Sequence, residues 1–173
     1  SKGTEVIVSY TSTFTDTINH WAGEAVGYLK DEGVTAGLTD GSFGVNKQIT
    51  RGEAATMLVR ALNHNAGNGN LPKFSDVPKS HLFYSSIAVI AKEGIMTGRT
   101  KGKFHPSASL TRAEMAAILV KAFDLSVKGD ASFSDVKPSF WAYNAITILA
   151  SNGLVSGYGD GTFGPNRPIT RAE

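Results

Sequence analysis

The chain has no cysteine. That excludes a disulfide framework, a thiolate metal site and a cysteine nucleophile. It has no apolar run near the roughly 20 residues that a membrane-spanning helix needs, so membrane insertion is not expected. It has no excess of one charge: 17 basic side chains against 15 acidic ones leave +2. A surplus that small gives no ground for nucleic-acid binding, so any electropositive site must be local. The start, Ser1 to Phe14, has no basic stretch followed by an apolar one, and a secretion signal is expected to have been removed already. What is present is 41% apolar residues in 173, enough to bury a core, and 19 glycines gathered in the connections.

Those glycines mark an internal repeat. FTDTINHWAGEAVGYLKDEGVTAGLTDGSFGVNKQITRGE, FSDVPKSHLFYSSIAVIAKEGIMTGRTKGKFHPSASLTRAE and FSDVKPSFWAYNAITILASNGLVSGYGDGTFGPNRPITRAE align along their lengths. Asp16, Asp76 and Asp135 share one register, as do Phe43, Phe104 and Phe163, and Arg51, Arg112 and Arg171. Each copy reads as helix, glycine-rich loop, helix. The first helix carries apolar residues at helical spacing: Trp21, Ala25, Val26 and Leu29; Leu82, Ile87 and Ile90; Trp141, Ala145, Ile148 and Leu149. It closes at Gly33, Gly94 or Gly153, where a left-handed cap suits glycine. Asp40-Gly41 and Asp160-Gly161 are turn signals. The second helix starts at the Thr-Arg-x-Glu motif and continues as Ala54, Met57, Leu58, Ala61 and Leu62, or Met115, Ile118, Leu119, Ala122 and Phe123.

The expected organisation is an N-terminal segment, 1–13, a first repeat, 14–62, a linker, 63–73, a second repeat, 74–123, a linker, 124–132, and a third repeat, 133–173, that stops one turn into its second helix. One unit is too small to bury a core. The expectation is an all-α fold of three helix-loop-helix repeats packed as a pseudo-threefold bundle, with the three first helices as its hub. Val6, Ile7, Val8 and Tyr10 are candidates to cover apolar surface left by the shortened third repeat.

The Thr-Arg-x-Glu motif divides by chemistry. Thr50, Thr111 and Thr170 with Glu53, Glu114 and Glu173 three residues later have the spacing of a capping box. Ile49, Leu110 and Ile169 before the cap suit a hydrophobic staple. The arginine has no such explanation, since a cation at a helix N-terminus is mildly unfavourable. Two readings stay open for it. One is an ion pair with Asp16, Asp76 or Asp135 of a neighbouring repeat. The other is an anion site made by the helix N-terminus and the guanidinium together. Trp21 and Trp141 read either as core or as a platform at a groove edge with a wet indole N–H. Tyr84, Tyr143 and Tyr158 divide in the same way.

The segments FSDV, GYGDGTFGP and ITRAE between Phe133 and Glu173 make the chain similar to the S-layer homology domain family, and the resemblance extends over all three repeats. It implies a three-pronged pseudo-trimer with grooves between prongs. It implies anchoring of a surface-layer or exported protein to the wall of a Gram-positive-type bacterium, outside the cell. The implied ligand is a secondary cell-wall polysaccharide bearing pyruvate-ketal N-acetylmannosamine (ManNAc). On that resemblance the ketal carboxylate would sit at Arg51, Arg112 or Arg171. The ring would lie on Trp21, Trp141, Tyr84, Tyr143 or Tyr158, with Asp16, Asp76 and Asp135 taking hydroxyls. No cofactor and no metal are implied. The copies are unequal: Leu82 replaces tryptophan, Arg99-Thr100-Lys101 replaces Tyr158-Gly159-Asp160, and repeat 1 has Leu38, Val45 and Gly52. One or two grooves should therefore dominate.

Catalysis is not expected. The carboxylates that would form a glycosidase pair are engaged in capping and turns, and threefold repetition argues against one asymmetric centre. His20, His64, His81 and His105 read as non-matching positions without metal spacing. A protein-interaction module, with other surface-layer subunits as partners through the remainder of a parent protein, is the alternative function.

Overall fold

In the computed structural model the described residues are 14–65, 72–127 and 129–173, so Val6, Ile7, Val8 and Tyr10 lie outside them. These residues form five α-helices: α1 (Gly23–Asp31), α2 (Arg51–Ala61), α3 (Tyr84–Lys92), α4 (Arg112–Ala122) and α5 (Tyr143–Ser151). No extended strand occurs among them. The protein is helical, and it divides into two units. One comprises Ser1–Lys47 with Thr170–Glu173, and the other Gln48–Ile169.

The first helix of each repeat is shorter than its apolar spacing predicts. Trp21, Leu82 and Trp141 stand two residues before α1, α3 and α5, in turns, and all three are exposed. Successive three-residue backbone bonds build the turn in repeat 1, from Thr17 to Phe14, His20 to Thr17 and Gly23 to His20. Asn19, at φ 58°, breaks the helical path there. The ring of His20 caps the turn, its Nδ1 accepting from the Ala22 N–H at 3.1 Å. His81 does the same for the Phe83 N–H. These two histidines are thus equivalent, a correction to their reading as unmatched; one residue fewer in repeat 1 conceals the register. The helices end as expected, with Gly94 and Gly153 at φ 69° and 68° just past α3 and α5.

Within the larger unit α3 packs on α2 and α5 on α4, each a first helix against the second helix of the repeat before it. A hub of first helices is therefore not the organising element there. The residues placed as staples form it instead. Ile49 N–H donates to the Ile169 carbonyl (3.1 Å), Ile169 to Leu110 (2.9 Å) and Leu110 to Ile49 (3.3 Å). This closes a three-membered backbone cycle. All three side chains are buried in one cluster with Phe104, Ile87 and Ile90. A second cluster gathers Ala113, Ala142, Ile146 and Phe163. In the smaller unit Phe14, Ala22, Val26, Phe43 and Val45 form a third.

The glycine-rich loops are braced by the repeated aspartates. Asp76 accepts from the N–H groups of Phe104 (2.9 Å) and His105 (2.7 Å). Asp135 accepts from Phe163 and Gly164, both at 2.8 Å. Asp16 accepts from Phe43, Gly44 and Val45. Both oxygens of each carboxylate face loop amides, which fixes the buried phenylalanine at the loop's end. Burial opposes ionisation of Asp16 and Asp76, but the loop N–H donors outweigh it and hold both carboxyls below the usual range. A folded value below the unfolded one, about 3.9, gives stability that is complete above that pH and is lost as pH falls through the folded value. Thermal melts should accordingly be flat from pH 7 to 5 and fall below about 4. Asp76→Asn should lower stability at pH 7 by about 1–2 kcal/mol and flatten that acid limb.

Candidate functional site

Thr50 is extended (φ −87°, ψ 161°), and its side chain accepts from the Glu53 N–H while Glu53 returns to the Thr50 N–H. Thr111 and Glu114 close the same box on α4. Thr170 and Glu173 form it too, at 3.3 and 3.0 Å. The next two amides also have partners. Arg51 and Gly52 N–H donate to the carbonyls of Ala108 and Pro106, and Arg112 and Ala113 N–H to those of Arg167 and Pro165. Each helix N-terminus is thus saturated by a loop of the following repeat. An anion receptor built on free helix amides is not available at α2 or α4, and only the side chains remain.

The arginine side chains make the same choice. Arg51 Nε donates to the Phe104 carbonyl at 2.9 Å and its Nη2 to the Thr97 carbonyl. Arg112 Nε donates to Phe163 (2.9 Å) and its Nη2 to Ser156 (2.8 Å). Arg171 Nε donates to Phe43 at 2.8 Å. Each guanidinium also lies over a phenylalanine ring, 4.5 to 4.7 Å from the centroid. Arg51 is 4% exposed and Arg112 9%. A planar fork presents two nitrogens to two carbonyls in one rigid geometry, which the single ammonium nitrogen of lysine does not. The nearest carboxylate to Arg51 is Glu114 at 3.9 Å, and no ion pair joins Arg51 to Asp76.

One open cavity of about 190 Å³ lies along this clamp in the larger unit. Arg51 of repeat 1, Arg99 and Lys121 of repeat 2 and Trp141 of repeat 3 line it, with Glu114. Met96, Ile95 and Ile118 supply its apolar floor. Three cations face one carboxylate, so the groove is locally positive in a nearly neutral chain. Burial pushes the Arg51 guanidinium pKa down and the Arg99 charge adds to that, while the Glu114 and Asp76 carboxylates oppose it. Arginine nonetheless remains charged. Trp141 is 63% exposed beside this charge, with its ring 5.7 Å from Phe140. The arrangement suits a ligand with a flat apolar face and an anionic group.

Three residues singled out in the sequence, Arg51, Glu114 and Trp141, therefore meet in one groove. Arg112 lies elsewhere in the same unit, its guanidinium 5.2 Å from the Tyr158 ring, which also stacks on Arg167 at 4.7 Å. Tyr84 and Tyr143 pack on the two hydrophobic clusters, so neither is a free platform. Trp21 is exposed in the smaller unit. Sequence reasoning did not select Arg99 or Lys121 as site residues. A signal for Lys121 was present: Glu114, Ala117, Ile118 and Lys121 fall at helical spacing on one face of α4.

The S-layer homology domain family matches residues 13–55, 73–116 and 132–173. The chain belongs to this family. It is 41% identical over 164 residues to the surface-layer 125 kDa protein of Lysinibacillus sphaericus, covering 90% of this chain and 14% of that protein. It is 32% identical over 166 residues to the S-layer protein sap of Bacillus anthracis, covering 93% and 20%. An amylopullulanase of Thermoanaerobacterium thermosulfurigenes is 33% identical over 171 residues, covering 95% and 9%. The chain spans no more than a fifth of the length of any of these three relatives. S-layer homology repeats place it at the cell-wall surface as an anchoring region rather than a catalytic one.

Proposed function

We propose that this S-layer homology chain holds its parent protein on the cell wall by binding a secondary wall polysaccharide that carries pyruvate-ketal ManNAc. The groove between Arg51 and Trp141 is the principal site. The observation that carries this reading is the pairing of an exposed tryptophan with a surplus of cations around one buried arginine. The ketal carboxylate takes the outer nitrogen of Arg51 and the field of Lys121, while the sugar's apolar face lies on Trp141. Arg112 beside Tyr158, and Arg171 over Phe43 in the smaller unit, supply weaker counterparts. The same reading makes the three repeats the prongs of a pseudo-threefold bundle, supported by the cycle of Ile49, Leu110 and Ile169 in the larger unit.

Titration with a pyruvylated ManNAc glycoside tests the reading. Binding should be lost when the pyruvyl group is removed. Trp141→Ala should weaken it about tenfold with no change in melting temperature, because the ring is exposed. Equal retention on wall sacculi with and without pyruvyl groups would point to a protein partner instead.

A further inference from the structure

Arg99 occupies the register in which the other repeats carry Leu38 and Tyr158. Its Nη2 donates to both oxygens of Glu114, at 2.9 and 2.8 Å, and to the Ser109 carbonyl at 2.7 Å. Glu114 Oε1 also accepts from the Thr111 N–H at 3.2 Å. The carboxylate is therefore held from two sides. Its distance to Arg51 Nη1, 3.9 Å, is too long for a hydrogen bond. Nε and Nη2 of Arg51 are committed to backbone carbonyls. Nη1 is thus the guanidinium nitrogen with no carbonyl partner, and Glu114 stands about one ångström from claiming it.

We propose that Arg99 is a positioning residue for anion binding: it restrains Glu114 so that Arg51 Nη1 stays open to a ligand carboxylate. Without Arg99 the attraction between Glu114 and Arg51 is uncompensated, and a small side-chain rotation closes a charge-assisted pair. The closed pair neutralises Arg51 and puts a carboxylate where the ligand's own must sit. Arg112 has a different arrangement, in which the Tyr158 ring lies against the guanidinium. The Arg51 groove thus owes its preference for anions to a residue that only repeat 2 carries. The inference rests on the functional reading above for its ligand, but its structural half does not depend on it.

The test uses the full chain with Arg99→Ala, Glu114→Gln and the double variant. Glutamine keeps the capping box, so α4 retains its start. In a crystal structure of Arg99→Ala without ligand, Glu114 should lie within hydrogen-bond distance of Arg51 Nη1. If it stays where it is, the proposal is wrong whatever the chain binds. By calorimetry, Arg99→Ala should bind the pyruvylated ManNAc glycoside about tenfold more weakly, and adding Glu114→Gln should restore wild-type affinity. A double variant as weak as Arg99→Ala would mean that Arg99 touches the ligand itself, which overturns the positioning role. A wild-type chain that does not bind the glycoside would sink the functional reading alone, and the Glu114 position would still decide the role of Arg99.

Discussion

Arg51→Ala will lower the unfolding free energy by about 3 kcal/mol, a large share of the 5–15 kcal/mol typical of a domain. The sequence invites the opposite expectation, that alanine at 51, 112 and 171 weakens wall binding and leaves the fold intact. The difference lies in burial. The carbonyls of Phe104 and Thr97 have the Arg51 guanidinium as donor. Truncation leaves the Phe104 carbonyl dry beside a fully buried ring and opens a hole against it. Each charge-assisted bond of this kind contributes about 1.5–3 kcal/mol. Arg112→Ala should behave alike, since it clamps Phe163 and Ser156. Lysine at either position keeps the charge but not the fork, so it should recover part of the loss only. Urea unfolding followed by circular dichroism measures this directly, and a wild-type midpoint for Arg51→Ala would contradict the clamp. The functional consequence is methodological: loss of wall binding in an alanine variant of this motif cannot be assigned to a lost ligand contact until the folded fraction is known. Trp141 is the cleaner probe because its ring is solvent-accessible.

Much of this structure was legible in the repeats. The capping boxes, the glycine-terminated first helices and the starts of α2 and α4 follow from local spacing alone, because each depends on residues within one turn. What was not legible depends on partners remote in sequence. The carbonyls that Arg51 engages lie 53 and 46 residues away. Nothing in the register says that a motif closes on the loop of the following repeat. The aspartates that looked like N-caps or arginine partners reach instead to amides 28 and 29 residues on. Tryptophan failed for another reason. Helical spacing runs back through Trp21 and Trp141, but a tight turn precedes each helix and moves the ring outward. The candidate groove was half visible: Arg51, Glu114 and Trp141 were named, but their meeting required the tertiary order of three repeats.

Gly52→Ala will destabilise the protein by about 1–3 kcal/mol, although alanine is the better helix former by about 1 kcal/mol. A Cβ on Gly52 would stand 2.3 Å from Cδ2 of Phe83 and 2.8 Å from Cε2. A ring packed on the main hydrophobic cluster cannot yield that much without leaving its place. The other repeats solve the same contact with smaller pieces. Ala113 and Ala142 occupy the equivalent positions and are both buried in one cluster, and Ala172 packs on the cluster that contains Ala22. Glycine at 52 is therefore the complement of phenylalanine at 83. It looks like a flaw only when α2 is read by itself. The double-mutant cycle separates these two views. Phe83→Ala should cost about 2 kcal/mol through lost burial of a partly buried ring. In that background Gly52→Ala should change sign and stabilise by up to about 1 kcal/mol, which gives a coupling of about 2–4 kcal/mol between the two sites. Additive effects, with Gly52→Ala still destabilising in the Phe83→Ala background, would mean that Gly52 is set by the loop it contacts rather than by Phe83. A sign change would mean that each junction between successive repeats has its own fitted pair, so that neither residue of a pair can be transplanted into another repeat alone.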